Sequence, residues 1–317
     1  MAKIEKSIAN TEEIGLFRKY LNWRKAKKES RKKPETFSEI ALSWIKTILG
    51  AIIVVMIING LAIASFVVPT GSMENTVMTG DFLFVNKFVY GPSTPQVVPF
   101  FNIPLPYYKF PGIKKPEVGD VIVFIYPGNR DEVEPAEFQY FLKRCVATAG
   151  DTLHIVNKRI FVNGKELSFP QHVKFLRPIM NDDSMRTFPY GRGFTGDNYG
   201  PLRIPKKGDL INISADNYWE WAVFIQKEGH EVTKFGQNVY IDGNIVTKYK
   251  IERDYCFGMG DNRDNSDDSR YWGFIPYDNV VGTPIIVYWS WDTNLPFSKL
   301  IDKIVSVRWS RIFTLIN

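Results

Sequence analysis

Cysteine and histidine are scarce in this chain of 317 residues: Cys145 and Cys256, and His154, His172 and His230. Their spacing matches no metal site, so neither a metal nor another cofactor is expected. The histidines stand in turn-rich sequence with no catalytic motif around them, which leaves nothing recognisable as a Ser-His-Asp triad. Both cysteines fall in apolar, strand-like sequence. A disulfide between them stays open if this part lies outside the cytosol; two buried thiols are the simpler reading. Glycine-rich phosphate loops are missing as well. The recurring pairs Gly80-Asp81, Gly119-Asp120, Gly150-Asp151 and Gly208-Asp209 stand beside apolar strands as turn punctuation and open no helix.

Net charge is lacking over most of the chain. Met1–Lys46 holds 12 Lys/Arg against 6 Glu, a surplus of +6 that equals the formal charge of the whole protein, so the remainder sums to zero. That balance excludes a nucleic-acid-binding surface over the body of the chain and places the basic surplus as a flank beside a membrane. Ile14, Leu16, Phe17, Leu21 and Trp23 give this flank the pattern of a short amphipathic helix or of a solvated tail.

What is present begins with Thr47–Val68, an apolar run with Asn59 as its only strongly polar residue. At ~1.5 Å per residue such a run crosses a ~30 Å hydrocarbon core. The basic flank puts the N-terminus in the cytosol and Pro69 onward outside. Ala62-Ile63-Ala64 offers a small-x-small pair, as in a cleavable leader, but the preceding segment is too long for one, and a retained anchor is expected. No second run long enough to span follows.

Aromatics at 15%, with 23 glycines and 19 prolines, suit a β-rich body. Phe82–Tyr90, Gly119–Tyr126, Phe138–Val146 and Val280–Asp292 read as strands. Gly91–Pro116 is proline-rich and aromatic and cannot be a central strand; it is expected to rest on lipid, on substrate or on the domain itself. Asn163-Gly164 and Asp242-Gly243 mark two hairpins in a lobe of residues 154–250. Within it, Met180–Gly200 is a polar, glycine-rich loop.

Chemistry is concentrated in three segments. Ser72 sits on the turn after the anchor, with Thr70 before it and Met73 after it. Without a histidine, a lysine is the remaining base for such a serine. That lysine must lose its proton near neutrality, far below the usual ~10.4, and apolar burial is the means. Lys143 is the candidate: it stands inside the apolar strand F-Q-Y-F-L-K-R-C-V, with Arg144 on the opposite face, although a lysine snorkelling from an edge strand would read the same way. The third segment, Gly260–Arg270, interleaves Asp261, Asp264, Asp267 and Asp268 with Arg263 and Arg270. It lacks the glycine and glutamate of a calcium loop, and its arginines oppose a cation. It reads as an ion-pair loop that braces a site.

Taken together, Pro69–Met73 with Gly80-Asp81, Gly119–Phe124, Lys143–Asp151 and the long run G-D-N-R-D-N-S-D-D-S-R-Y-W-G-F-I-P resemble the type I signal (leader) peptidases, membrane-anchored Ser/Lys proteases. The resemblance runs from about Thr47 to Asp292, outside the proline-rich loop and the lobe. It implies Ser72 as nucleophile and Lys143 as general base, with an oxyanion hole from the Ser72 N–H and the Thr70 hydroxyl. It further implies that Ser266 holds the Lys143 amine, that Asp268 and Arg270 form a bracing ion pair, and that Met73 lies in the substrate groove. The chain departs from the family pattern at Asn75, where proline is usual, and at Thr148-Ala149, where Leu-Pro is usual.

The expected fold is mainly β: an antiparallel catalytic core of residues 69–153 and 251–317, an inserted β-rich lobe of residues 154–250, one transmembrane helix at 47–68 and a basic segment at 1–46. The implied activity is removal of signal peptides from exported preproteins at the outer face of the cytoplasmic membrane, with membrane lipid as the other partner. Other readings are a self-cleaving Ser/Lys peptidase and an inactive tethered β protein that binds exported chains.

Overall fold

The computed structural model describes residues 18–19, 22–23, 36–94, 97–98, 103–104, 106, 108–180 and 186–316. The amphipathic flank and the basic runs up to residue 35 lie almost wholly outside these, as does most of the aromatic stretch 99–107. The chain divides into two compact units, residues 1–55 and 56–317.

Helix α1 spans Phe37–Leu61, and Phe37–Ile58 is long and apolar enough to cross a membrane. The helix starts earlier than the expected 47–68 because Thr36 and Glu39 form a reciprocal cap. The Glu39 N–H donates to Thr36 Oγ1 at 3.4 Å and the Thr36 N–H to Glu39 Oε2 at 3.3 Å. It also stops earlier. Ile63–Val67, which the apolar run had assigned to the anchor, is strand β1, paired from Ile63↔Asn86 to Val67↔Phe82. Beyond the end of α1, the apolar and β-branched residues of this segment gain more from a sheet partner than from another helical turn.

The second unit is built on a seven-stranded antiparallel sheet. After β1 come β2 (Asp81–Asn86), β3 (Val121–Ile125), β4 (Tyr140–Ala147), β5 (Tyr255–Met259), β6 (Ile275–Pro276) and β7 (Val280–Ser290). Their spatial order is β1-β2-β7-β3-β4-β5-β6, which leaves β1 as an outer strand. Strand β3 is apolar at every position because both of its faces are covered. Val121 and Val123 pack with Val68, Val77, Leu83, Val85 and Val287. Ile122 and Phe124 pack with Cys145, Cys256, Trp272 and Ile275 on the other face. Cys145 and Cys256 are both free and buried.

The Gly-Asp pairs share one device. Each aspartate N–H bonds the carbonyl three residues back, as in Asp81 to Met78 at 3.0 Å and Asp120 to Glu117 at 3.1 Å. The glycines carry φ between 87° and 99°, the value a type II turn needs at its third position. At Asp81, Asp120 and Asp151 the aspartate side chain also accepts the first N–H of the turn, as from Met78 to Asp81 Oδ2 at 2.8 Å.

Within residues 154–250 the hairpin turns Asn163-Gly164 and Asp242-Gly243 have positive φ at both positions, the type I′ geometry. The lobe, expected to be β-rich, also contains a helix, α2 (Tyr218–Lys227). Its aromatic content favours strands statistically, but Ala222, Phe224 and Ile225 bury one helical face. The apolar cluster under the lobe does not stop at its expected borders. It runs from Leu153, Ile155, Phe224 and Ile241 into Val146, Ala147, Phe257 and Met259 of β4 and β5.

Candidate active site

Ser72 opens the segment between β1 and β2. Residues 73–77 form a tight turn, with the Thr76 and Val77 N–H groups on the Met73 carbonyl at 3.0 and 2.9 Å and Asn75 in the left-handed region. This turn puts Met73 and Val77 on one face, pointing into the core. Met73 is therefore only 1% exposed and packs with Val77, Leu83, Val121 and Val287. The implied place of Met73 in a substrate groove is corrected: it is a core residue, and its Sδ accepts the Asp261 N–H at 3.3 Å.

Lys143 lies at the centre of β4, opposite Ile122 of β3. Its side chain is 4% exposed, and its amine stands 5.5 Å from the centre of the Phe141 ring. Lys143 Nζ is 2.9 Å from Ser72 Oγ. Burial lowers the amine from 10.5 to about 8, against the pull of the Asp268 and Asp267 carboxylates. A lowered amine is not unique to this position: burial brings Lys87, Lys109 and Lys227 to about 8 as well. The Lys109 and Lys227 amines are spent on backbone carbonyls, at Tyr277, Asp278 and Val280 for Lys109 and at Gly128 and Asn129 for Lys227. The Lys143 amine instead faces a serine hydroxyl.

Thr70 Oγ1 lies 3.5 Å from Ser72 Oγ, so Thr70, Ser72 and Lys143 converge on one point. Ser266 does not complete the group as the resemblance implied. Its Oγ is buried, has no hydrogen-bond partner among the described residues and packs against Gly260, while the Lys143 amine is turned to Ser72.

The aspartate-rich loop is braced on both sides of the sheet. Asp268 caps the turn Ser269–Trp272 and accepts the Gly260 N–H at 3.0 Å. Arg270 grips it at 2.8 and 2.9 Å and also donates to the carbonyls of Gly196 and Arg263. On the opposite face, Arg144 holds Asp261 through Nε and Nη2 at 2.9 and 2.7 Å, and Thr76 Oγ1 donates to the same carboxylate. Sequence reasoning placed Arg144 on the far face without a partner; its link to Asp261 ties β4 to both catalytic segments. Asp264 serves the lobe, accepting from Lys158 and from the Leu176 and Arg177 N–H groups. Arg263, expected among the ion pairs, is buried, and its Nε and Nη1 have no hydrogen-bond partner among the described residues.

The departures from the family pattern have structural counterparts. Asn75 has φ +79°, which a proline ring cannot adopt. The Ala149 N–H, which a proline would lack, donates to the Tyr277 hydroxyl at 3.3 Å. Among the described residues no His/Cys/Asp/Glu group could hold a metal ion.

Residues 41–289 match the family model "Signal peptidase, peptidase S26". The chain is 31% identical to a signal peptidase I of Helicobacter pylori strain J99, an alignment covering 86% of this chain and 90% of that one. It is 27% identical to a signal peptidase I of Haemophilus influenzae, over 87% of this chain and 79% of that one. A crystal structure of a signal peptidase I from Enterococcus faecalis V583 aligns at 19% identity over 54% of this chain and 98% of its own, with a TM-score of 0.25.

Proposed function

The chain belongs to the signal peptidase family, peptidase S26, and acts as a serine endopeptidase on signal peptides; from that premise we propose that Ser72 is its nucleophile and Lys143 its general base. The observation that carries this is the 2.9 Å approach of a dry lysine amine to the serine hydroxyl. In its neutral form the amine accepts the Ser72 proton as Oγ attacks the scissile carbonyl. The Ser72 N–H and the Thr70 hydroxyl donate to the developing oxyanion. The protonated amine then returns its proton to the leaving peptide nitrogen as the acyl-enzyme forms. A water, deprotonated by the same amine, hydrolyses the ester and frees the signal peptide.

The substrate binds extended along the open edge of an outer strand such as β1, whose last residue lies just before the catalytic turn. Shallow pockets select small residues at the first and third positions before the cut. Helix α1 anchors the enzyme, the basic flank lies in the cytosol, and residues 56–317 work at the outer face of the cytoplasmic membrane.

Replacing Ser72 or Lys143 by alanine is expected to abolish preprotein processing in detergent, and a serine-directed acylating probe is expected to label Ser72. Near-normal turnover by Lys143→Ala would overturn the assignment. Orientation is tested by protease treatment of sealed inside-out vesicles, which should remove the N-terminal flank and spare residues 56–317.

A further inference from the structure

The catalytic turn is closed by its own backbone bonds, the Glu74 N–H on the Gly71 carbonyl at 3.1 Å and the Val77 N–H on the Met73 carbonyl at 2.9 Å, but not by a proline ring. Related turns carry proline three residues after the nucleophile, whereas Asn75 sits here in the left-handed region. Instead, Glu74 and Asn75 both reach out to a short stretch of the lobe. The Asn75 amide donates to the His172 carbonyl at 3.4 Å, and the Lys174 amine meets Glu74 Oε2 at 3.1 Å. The same lobe stretch grips the start of the aspartate-rich loop. Lys174 forms a parallel bridge with Asn262, its N–H on the Asp261 carbonyl at 2.8 Å and its carbonyl on the Arg263 N–H at 3.0 Å.

Asn262 closes the circuit. Its side-chain amide donates to Glu74 Oε2 at 3.2 Å and to the Gly71 carbonyl at 3.1 Å, and its own N–H donates to the Ser72 carbonyl at 3.0 Å. The peptide joining Gly71 to Ser72 is planar and trans, so its carbonyl and its N–H point in opposite directions. Whatever holds the Gly71 carbonyl therefore aims the Ser72 N–H. The Asn262 amide and the Glu74 N–H, each at 3.1 Å, hold it together; the Glu74 carboxylate fixes the orientation of the Asn262 amide, and Lys174 fixes that carboxylate.

We infer that Lys174 and Glu74 are positioning residues: through Asn262, the lobe stretch His172–Lys174 is a clamp that aims the Ser72 N–H at the oxyanion. The inference rests on the assignment of Ser72 as nucleophile and oxyanion donor. It gives a role to a segment that carries no reacting group, and it explains why a turn without the stiffening proline keeps its shape. Glu74 and Lys174 are partly exposed, and an ion pair in that setting adds little to stability. The effect of the clamp belongs instead to the transition state, where the oxyanion exists, and so to kcat rather than KM.

The test uses the full chain in detergent with a purified preprotein. Glu74→Ala and Lys174→Met are expected to lower kcat by about tenfold, the scale of a partly misaimed group, with KM and melting temperature little changed. Glu74→Gln keeps an acceptor for Asn262, and Lys174→Arg keeps a cation; both should recover most of the rate. The double variant Glu74→Ala/Lys174→Met should be no slower than Glu74→Ala, because the two act in one chain. Wild-type kcat in Glu74→Ala, an equal loss in Glu74→Ala and Glu74→Gln, or a rise in KM at constant kcat would each overturn the clamp. If Glu74→Ala does not fold, Lys174→Met and its arginine counterpart decide alone. Ser72→Ala is run beside them. If it stays active, the site assignment itself fails; if it is dead while Glu74→Ala turns over normally, only the clamp falls.

Discussion

Gly260 faces Ser72 so closely that a Cβ on Gly260 would stand 2.5 Å from the Ser72 carbonyl oxygen and run into Ser266 Oγ. The aspartate-rich loop can lie against the catalytic turn only because this position has no side chain. Gly260→Ala must move one or the other, and neither is free: the Ser72 carbonyl is tied to the Asn262 N–H, and the Gly260 N–H to Asp268. A displacement of about 1 Å at a reacting group costs about a hundredfold in rate. Gly260→Ala is therefore expected to retain its fold by circular dichroism and to process preprotein about a hundredfold more slowly. Full activity in this variant would mean that the two segments are not in contact.

The Lys143 amine sets the pH dependence. A general base works only when unprotonated, and burial brings this one to about 8. Below that value kcat/KM is expected to fall about tenfold per pH unit, with a plateau above it. A pH–rate profile checks this, and an acid limb near pH 6 or near pH 10 would contradict it.

The same burial has a cost in stability, and its sign is opposite to that of an ordinary ion pair. A lysine whose folded value lies below its unfolded value opposes folding at every pH under the folded value. The penalty fades only between about 8 and 10.5. That difference corresponds to about 3 kcal/mol, from which a lost hydrogen bond to Ser72 subtracts about 1. Lys143→Met is expected to be inactive yet about 2 kcal/mol more stable at pH 7, with the gain nearly gone by pH 10. Denaturant melts at the two pH values measure it.

Much of this site was legible because its chemistry permits few residue types. With three histidines in unsuitable places, a serine on a turn left a lysine as base; Lys143 and Lys87 both stood in apolar strand-like sequence, and the resemblance of the surrounding motifs singled out Lys143. The Gly-Asp pairs were equally readable, since a type II turn needs what glycine and aspartate supply. What escaped depends on pairing over distance. Nothing near Lys174 announces that it meets Glu74, which is 100 positions away in the chain. Met73 was assigned by analogy to a groove, but the tight turn at residues 73–77 sends it inward. The start of α1 was hidden because hydropathy marks the apolar run, whereas the helix begins at a polar cap. The helix α2 escaped because its tryptophans, tyrosine and phenylalanine read as strand until their burial is known.

The Asp268–Arg270 pair tests the bracing role of the loop. Both side chains are buried, with Asp268 fully enclosed and Arg270 2% exposed. Breaking such a pair leaves an uncompensated charge in the interior, at a cost of about 3–5 kcal/mol. Asp268→Asn keeps the shape but strands the guanidinium, and Arg270→Met strands the carboxylate. Each is expected to lower the melting temperature by roughly 10 °C or more, taking a few degrees per kcal/mol for a chain of this size. The double replacement should cost less than the two singles together, because it removes both charges. Additive losses would show that the pair contributes no mutual attraction.

Asn75 offers a test of the turn itself. At φ +79° an asparagine is tolerated at a strain of about 1 kcal/mol, and glycine is not strained at all. Asn75→Gly gains that relief and loses one long hydrogen bond to the His172 carbonyl. Its stability is expected to stay within about 1 kcal/mol of the parent. Asn75→Pro is the opposite case. The ring fixes φ near −65°, so the backbone between Met73 and Val77 must be rebuilt, and with it the place of Ser72. The proline familiar from related turns is thus expected to be harmful here, with processing lost by about a hundredfold while the rest of the sheet stays folded. Wild-type activity in Asn75→Pro, measured beside an unchanged Asn75→Gly, would show that this turn follows the common backbone path and that its polar contacts to the lobe are incidental.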